Sequence, residues 1–358
     1  MITEKELIEQ IKNAVLALFN NTGFIKIIKV KENTASGTLQ QLFDISIEVQ
    51  TNDKSKYTLI FEIKTTGQPR YARMAISQIK EMLPKNTNYY GVFASTFISN
   101  ETRRICQENN IGFIDTAGNC FFNFDNVYLS IEGKSNPLPN KRPLKTLFYS
   151  KSSRALRVLL CNPKKAWFVK DLSTEADISL GKASLVKKKL FEEELIEELK
   201  VDEQKKFKLV KPEKLLNEWA KNYSYNKNII KNYYSLDDTK TIESSIANYC
   251  NEKKIKYAFT LTSGASLVAP FLRYNRVFVY LVDNMEVIAK DLNFKEVSSG
   301  SNILILKPYD EKVFYNIQII NDLKVVCDIQ LYLDLINYKE RGEEAAKFLY
   351  EQRISKSW

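Results

Sequence analysis

A multidomain α/β protein is predicted by three observations: the length of the chain, the alternation of strand-like and helical segments toward both ends, and a run of short helices with a hairpin between them. At 358 residues the chain exceeds one ordinary core, since a domain usually takes about 100 to 200 residues. Apolar residues make up 44% and aromatics 12% of the chain, enough for packed interiors. The segments divide into a first domain at 1–133, a linker at 134–150, a second domain at 151–223, a connector at 224–240 and a third domain at 241–358.

Composition excludes several chemistries. There is no histidine, and the five cysteines (Cys106, Cys120, Cys161, Cys250, Cys327) form no CxxC pair. Zinc sites and Ser-His or Cys-His nucleophiles are therefore ruled out, and the cysteines read as buried reduced thiols. Any catalysis would rest on carboxylates, lysine and a hard cation such as Mg²⁺. No stretch approaches the roughly 20 apolar residues of a membrane span, and Met1–Gln10 is acidic where a signal peptide would be basic. A soluble, cytoplasmic protein with no membrane partner is expected.

In the first domain, Leu7, Ile11, Val15 and Leu18 give a helix over Glu4–Phe19. Strands follow at Phe24–Lys31, Gln41–Gln50 and Tyr57–Lys64, the last two forming a hairpin centred near residue 53. Then come a helix (Tyr71–Leu83), a strand (Tyr89–Ala94), a helix (Asn100–Asn109) and short strands at Gly112–Asp115, Cys120–Phe124 and Val127–Ile131. This order suggests a mixed sheet. Glu62 and Lys64 are two apart and share a strand face, and the hairpin register sets Asp44 opposite residue 62 or 63. Two carboxylates and a lysine then converge at a sheet edge, where Asp44 and Glu62 would hold Mg²⁺ and Lys64 would orient or deprotonate the attacking water. Arg70 and Arg73 follow where a phosphate backbone would pass. Glu6 and Glu9 read as surface carboxylates.

These residues, with Gln78 on the next helix, resemble the PD-(D/E)xK restriction-endonuclease-like superfamily over about residues 1–133. The resemblance implies a restriction-endonuclease-like α/β domain, with Asp44, Glu62, Lys64 and Gln78 as catalytic residues of a Mg²⁺-dependent DNA nuclease if the site is active.

The second domain reads as a winged helix-turn-helix. Ser152–Cys161 is a helix with Leu156, Leu159 and Leu160 on one face, stopped by Asn162-Pro163. Trp167 and Phe168 make a short strand, and Lys170–Ala176 a second helix. The turn Asp177–Gly181 supplies a buried Ile178, a capping Ser179 and a Gly181 for a sharp bend. The third helix, Lys182–Glu194, puts Leu185, Val186, Leu190 and Phe191 toward the core and Lys182, Ser184, Lys187 and Lys188 elsewhere, as a groove-reading helix would. Leu195–Leu199 and Phe207–Val210 form a wing whose tip, Asp202–Lys206, carries Lys205 and Lys206. From Lys141 to Leu190 there are thirteen Lys or Arg against three acids, and this +10 equals the net charge of the whole chain. Such an excess on an element shaped for a groove is the footprint of phosphate contacts with double-stranded DNA.

Gly133–Leu144 reads as a linker, and Pro212–Tyr223 as a helix. Asn226–Lys240 reads as a connector whose tyrosines pack on neighbouring domains. In the third domain the strand Tyr257–Leu261, the turn Thr262–Ser266 and the strand Val277–Val282 suggest a nucleotidyltransferase-like α/β shape. Its metal acids are missing, only Asp283 lying near.

Lys307–Glu311, Asp328–Leu335 and Arg341–Ala346, with Tyr257–Tyr274, look like the closing signature of the AbiEi family of type IV antitoxins and regulators. The resemblance covers about residues 150–358, and the whole resembles a fused version with a restriction-like domain in front. It implies a DNA-binding regulator of its own operon, acting as a homodimer, with a cognate toxin protein as partner. The alternative is a Mg²⁺-dependent nuclease in phage defence, delivered to DNA by the winged helix.

Overall fold

The computed structural model describes residues 3–32, 43–83, 88–136, 144–149, 151–201, 204–271 and 273–358. The chain forms two compact units of α/β structure, one of Met1–Lys141 with Phe191–Glu194 and the other of Arg142–Leu190 with Leu195–Trp358. Much of the expected linker, and Asp202 and Glu203 of the expected wing tip, lie outside the described residues.

In the first unit, α1 (Glu4–Asn20) opens on a reciprocal cap. Thr3 Oγ1 accepts the Glu6 backbone N–H at 3.3 Å, and the Glu6 carboxylate accepts the Thr3 N–H at 2.8 Å. Leu7, Ile11, Val15 and Phe19 form its buried stripe. Seven strands then pair in chain order: β1 (Ile25–Glu32), β2 (Ile45–Thr51), β3 (Lys56–Lys64), β4 (Tyr89–Ser95), β5 (Gly112–Asp115), β6 (Cys120–Phe124) and β7 (Val127–Ile131). The central pairs β3–β4 and β4–β5 are parallel and the outer pairs antiparallel, so the sheet is mixed as expected.

A parallel step needs a crossover, which α2 (Pro69–Met82) and α3 (Asn100–Glu108) supply. The α1 stripe packs with Ile47, Phe61 and Val92 in one core, while Ala75, Ile79 and Ile105 pack with Ile60 and Phe93 in another. Both faces of the sheet are thus covered. Between β3 and α2, a Cβ on Gly67 would lie 2.1 Å from the Phe97 carbonyl oxygen, so only glycine lets these two loops pass.

The second unit begins with α4 (Ser152–Cys161), α5 (Val169–Glu175) and α6 (Leu180–Glu192), followed by the antiparallel hairpin β8 (Ile196–Val201) and β9 (Gln204–Leu209). Trp167 joins this hairpin through paired backbone bonds with Phe207, at 2.8 and 3.0 Å. Gly181 makes no sharp bend. It lies inside α6, and the left-handed residue of the turn is Asp177, with φ 52°. A short polar side chain tolerates that region better than most. Ser179 caps α6 as expected, its Oγ accepting the Lys182 N–H at 3.3 Å. The core face of α6 is Ala183, Val186 and Leu190, while Leu185, Phe191 and Ile178 are only partly buried.

After α7 (Pro212–Ala220) comes a second seven-stranded sheet in the order β13-β10-β14-β12-β11-β16-β15. Its strands are β10 (Ile229–Tyr234), β11 (Tyr257–Phe259), β12 (Val277–Leu281), β13 (Lys295–Glu296), β14 (Ile303–Lys307), β15 (Gln318–Ile320) and β16 (Leu323–Val325). Strand β10 lies where a connector was expected. It borders the two-residue β13 and keeps only Tyr233 buried, so its sequence lacks a strand's alternation.

The expected Thr262–Ser266 turn is also helical, within α9 (Leu261–Val268). Gly264 is there for close approach and not for bending, because a Cβ would meet Phe259 O at 3.0 Å and Leu331 and Val325 at 3.1 Å. The other helices are α8 (Thr239–Glu252), α10 (Met285–Asp291), α11 (Asp328–Ile336), α12 (Gly342–Leu349) and α13 (Ser355–Ser357). All five cysteines are free, Cys161 being only partly buried. Among the described residues no helix is long and apolar enough to cross a membrane.

Candidate functional sites

The end of the interior β2–β3 pair of the first sheet gathers the four residues singled out there, Gln78 reaching it from α2. Ile45 pairs with Phe61, so Asp44 falls opposite Glu62 at the end of the β2–β3 ladder. Asp44 Oδ2 accepts the Ile63 N–H at 2.7 Å, which fixes that carboxylate beside the Glu62 strand. Glu62 is 3% exposed. One of its oxygens pairs with Lys64 Nζ and the other accepts Gln78 Nε2 at 3.1 Å. Gln78 reaches it because α2 returns along the sheet face directly after β3.

Burial pushes the Glu62 carboxyl above its ordinary pKa, with the Asp44 charge adding to the shift and the Lys64 and Gln78 contacts opposing it. Burial likewise raises Asp44, against the Ile63 N–H and the charge of Lys64, and Glu4 contributes repulsion. Glu4 is the acid of α1 whose charge reaches the site. Glu6 is spent on the helix cap and Glu9 on Lys12. A capping box at Thr3-x-x-Glu6 was the available sequence signal. Among the described residues no group of three His, Cys, Asp or Glu is arranged to hold a metal, so Asp44 and Glu62 stand as a pair. Arg70 and Arg73 lie in the first two turns of α2, the former half-buried and the latter exposed.

The second candidate surface is α6 with the β8–β9 hairpin. Ser179, Ser184 and Lys188 are exposed, and Lys182 is partly so. Lys187 pairs with Glu198 of β8 and sits over the Phe207 ring, so part of its charge is held within the fold. Lys205 and Lys206 occur in β9 itself and not at the tip. Lys206 lies 4.8 Å from the Phe168 ring centroid.

The register sets Lys205 opposite Lys200, both exposed. Sequence reading missed Lys200, although its place in a hairpin partner of Lys205 was the signal. Two of the thirteen basic residues counted toward a DNA face are turned inward. Arg157 is 1% exposed and donates to Gln330, and Arg154 binds Asp310 through Nε at 2.9 Å to each carboxylate oxygen.

Comparison with known proteins adds three findings. Among curated proteins none matches this sequence. A solved structure described as "Structure of EndoMS in apo form" aligns at 11% identity and a TM-score of 0.21, covering 29% of this chain and 44% of that one. The chain thus spans under half of that protein, and a likeness at this score supports no inference. Residues 208–355, from the end of the hairpin through the second sheet and its helices, match the family described as "Transcriptional regulator, AbiEi antitoxin, Type IV TA system".

Proposed function

We propose that the protein is a DNA-binding transcriptional regulator of the AbiEi antitoxin type, acting on double-stranded DNA as a homodimer and neutralising a cognate toxin protein. The observation that carries this reading is the family match over residues 208–355. A short helical segment and the β8–β9 hairpin lead into it, with Lys182 and Lys188 of the helix and Lys200 and Lys205 of the hairpin on accessible positions. In this reading α4–α6 and the hairpin are a winged helix-turn-helix. The α6 helix enters the major groove, Ser179 and Ser184 contact its walls, and the hairpin lysines follow the phosphates. Mobility shifts on duplex DNA from upstream of the protein's own gene test it. The wild type is expected to bind, and a Lys182→Ala/Lys188→Ala double variant to lose about tenfold or more in affinity with its fold intact. Equal binding by the two proteins would overturn the assignment.

A second reading concerns the first sheet, where Asp44, Glu62, Lys64 and Gln78 converge. Asp44 and Glu62 would hold Mg²⁺. A buried and a partly buried carboxylate, both of raised pKa and compensated by one lysine, form a donor set that suits a hard cation. The cation, when bound, stabilises charge on a phosphodiester. Lys64 holds Glu62 in place and stands ready to orient a water, and Gln78 keeps the second Glu62 oxygen from rotating. In this reading Arg73, which donates to Glu194 at 2.9 Å, and Arg70, which lies over the Phe191 ring, would turn to the phosphates of the strand to be cut. Incubation of plasmid DNA with Mg²⁺, beside Lys64→Ala, tests this reading. Cleavage that survives the substitution, or its absence from every DNA form, would retire it.

A further inference from the structure

A cleft of about 1140 Å³ opens within the second unit, where the turn preceding α6 faces the second sheet. That volume accommodates a ligand larger than most drug-sized compounds. Its wall carries Lys254, Lys256, Lys312 and Lys324, with the rings of Tyr309, Phe314 and Tyr315 between them and the wholly buried Tyr257 behind. Lys256 pairs with Glu311 at 3.3 Å, and Lys324 Nζ donates to Asn251 while lying 5.0 Å from the Tyr257 ring centroid. Flat faces beside ammonium groups select a ligand with a planar ring and a negative charge.

One side chain connects this cleft to the turn. Arg154 holds both oxygens of Asp310 at 2.9 Å, donates to the Asp177 carbonyl at 3.2 Å, and pairs with the Asp177 carboxylate. Asp310 also accepts the Lys312 N–H at 2.9 Å, anchoring the segment Glu311–Phe314, of which Glu311, Lys312 and Phe314 line the cleft. Arg154, Asp177 and Asp310 all line the cleft. Asp177 holds the left-handed conformation from which the chain enters α6.

We propose that this cleft binds a nucleotide, its base against the tyrosine and phenylalanine rings and its phosphates on the lysines, and that a bound phosphate draws Arg154 away from Asp177. Guanidinium binds phosphate as readily as carboxylate, in the same forked geometry. Occupancy then loosens the turn that sets α6. The second half of this proposal rests on the reading of α6 as the DNA-contacting helix, and the first half does not.

Calorimetry on the full chain tests the site with ADP and GDP, and with adenosine and inorganic pyrophosphate as controls. Saturable binding of at least one nucleotide is expected, with each control weaker by about tenfold or more, and with Lys312→Ala and Lys324→Ala each costing roughly tenfold. Both lysines are partly buried, so circular dichroism and a melting curve check that each variant keeps its fold before its affinity is compared. No saturable binding, binding indifferent to both substitutions, or pyrophosphate binding as tightly as the nucleotide would overturn the site. Preference for a single-stranded oligonucleotide over both mononucleotides would overturn it too.

Duplex-DNA affinity measured with and without saturating nucleotide then tests the link. A severalfold change is expected in the wild type, and none in Asp177→Asn, which weakens the hold on Arg154 beforehand. Nucleotide binding with unaltered DNA affinity overturns the link, whereas a protein that binds nucleotide but no DNA defeats the regulator reading and leaves the site standing.

Discussion

Arg157 Nη2 donates to Gln330 Oε1 at 2.6 Å, joining α4 to α11 through a wholly buried contact. Gln330 passes the connection on, donating from Nε2 to Tyr223 at 2.8 Å and to Asp334 at 2.9 Å, and Asp334 in turn accepts from Thr260 and Tyr223 at 2.6 Å. The first helix of the proposed DNA-binding segment is thus wired into the second sheet's core. Among the described residues Arg157 Nε and Nη1 have no hydrogen-bond partner, and the guanidinium lies 5.3 Å from the Trp219 ring centroid. Gln330→Ala removes the hydrogen-bond acceptor of a buried charged group, and a loss of about 1.5–3 kcal/mol is expected. Arg157→Met removes the charge and keeps most of the volume, so it should cost less, about 1–2 kcal/mol. Urea unfolding of the two variants checks the order, and Arg157→Met proving the worse would show the pair to be strongly stabilising.

The buried Glu243 makes stability depend on pH. It is 2% exposed, and burial lifts its carboxyl to about 7, opposed by the Tyr274 hydroxyl donating to it at 2.8 Å. Its folded pKa lies above its unfolded one, so the folded state binds the proton more tightly. The contribution is full below the unfolded value of 4.5 and is lost as pH rises through about 7. Wild type should therefore lose about 2–3 kcal/mol between those limits from this group. Glu243→Gln should flatten that part of the profile. A remainder of the same sign is expected from Asp334, whose carboxyl is also raised by burial. Melting temperature followed against pH in both proteins reads the difference.

What was legible in the sequence was local or periodic. The hairpin around Asp53 gave the Asp44–Glu62 register, because an antiparallel ladder is symmetric about its turn. The spacing of Leu7, Ile11 and Val15 gave α1. What was not legible depended on partners far along the chain. Arg154 and Arg157 are basic and helical, and only Asp310 and Gln330, more than 150 residues away, show that they face inward. Lys187 looked free until β8 brought Glu198 to it. Gly264 looked like a turn, since a glycine chosen for close packing and one chosen for bending are the same letter. Strand β10 was hidden because it buries one tyrosine and shows the rest.

If the nuclease reading holds, the Asp44–Glu62 pair should show a cation-dependent reversal in pH behaviour. Both carboxyls are raised, chiefly by burial, so without a metal each favours the folded state at low pH and loses that contribution as pH rises through its folded value. A bound cation requires both to be ionised and turns the preference around. Mg²⁺ should therefore raise the melting temperature of the first unit at alkaline pH and do so progressively less as pH falls. Glu62→Gln should be more stable than wild type without Mg²⁺ and insensitive to added Mg²⁺. Equal Mg²⁺ shifts in both proteins would show that the cation binds elsewhere.

Lys200 and Lys205 face each other across the hairpin, an arrangement in which like charges repel. A pair that costs stability in the free protein gains most from an anion that neutralises it. Lys200→Ala should leave the hairpin slightly more stable, by about 0.2–1 kcal/mol. The same change should weaken duplex DNA binding and reduce the slope of log K against log salt by about 0.9, the amount for one phosphate contact. Lys205→Ala should act alike. The double variant should lower the slope by about 1.8 on that basis while adding little further stability, because the first substitution already relieves the repulsion. Fluorescence anisotropy over a salt series, with unfolding run in parallel, separates the two effects. Stability rising with an unchanged salt slope would place the DNA elsewhere on this unit.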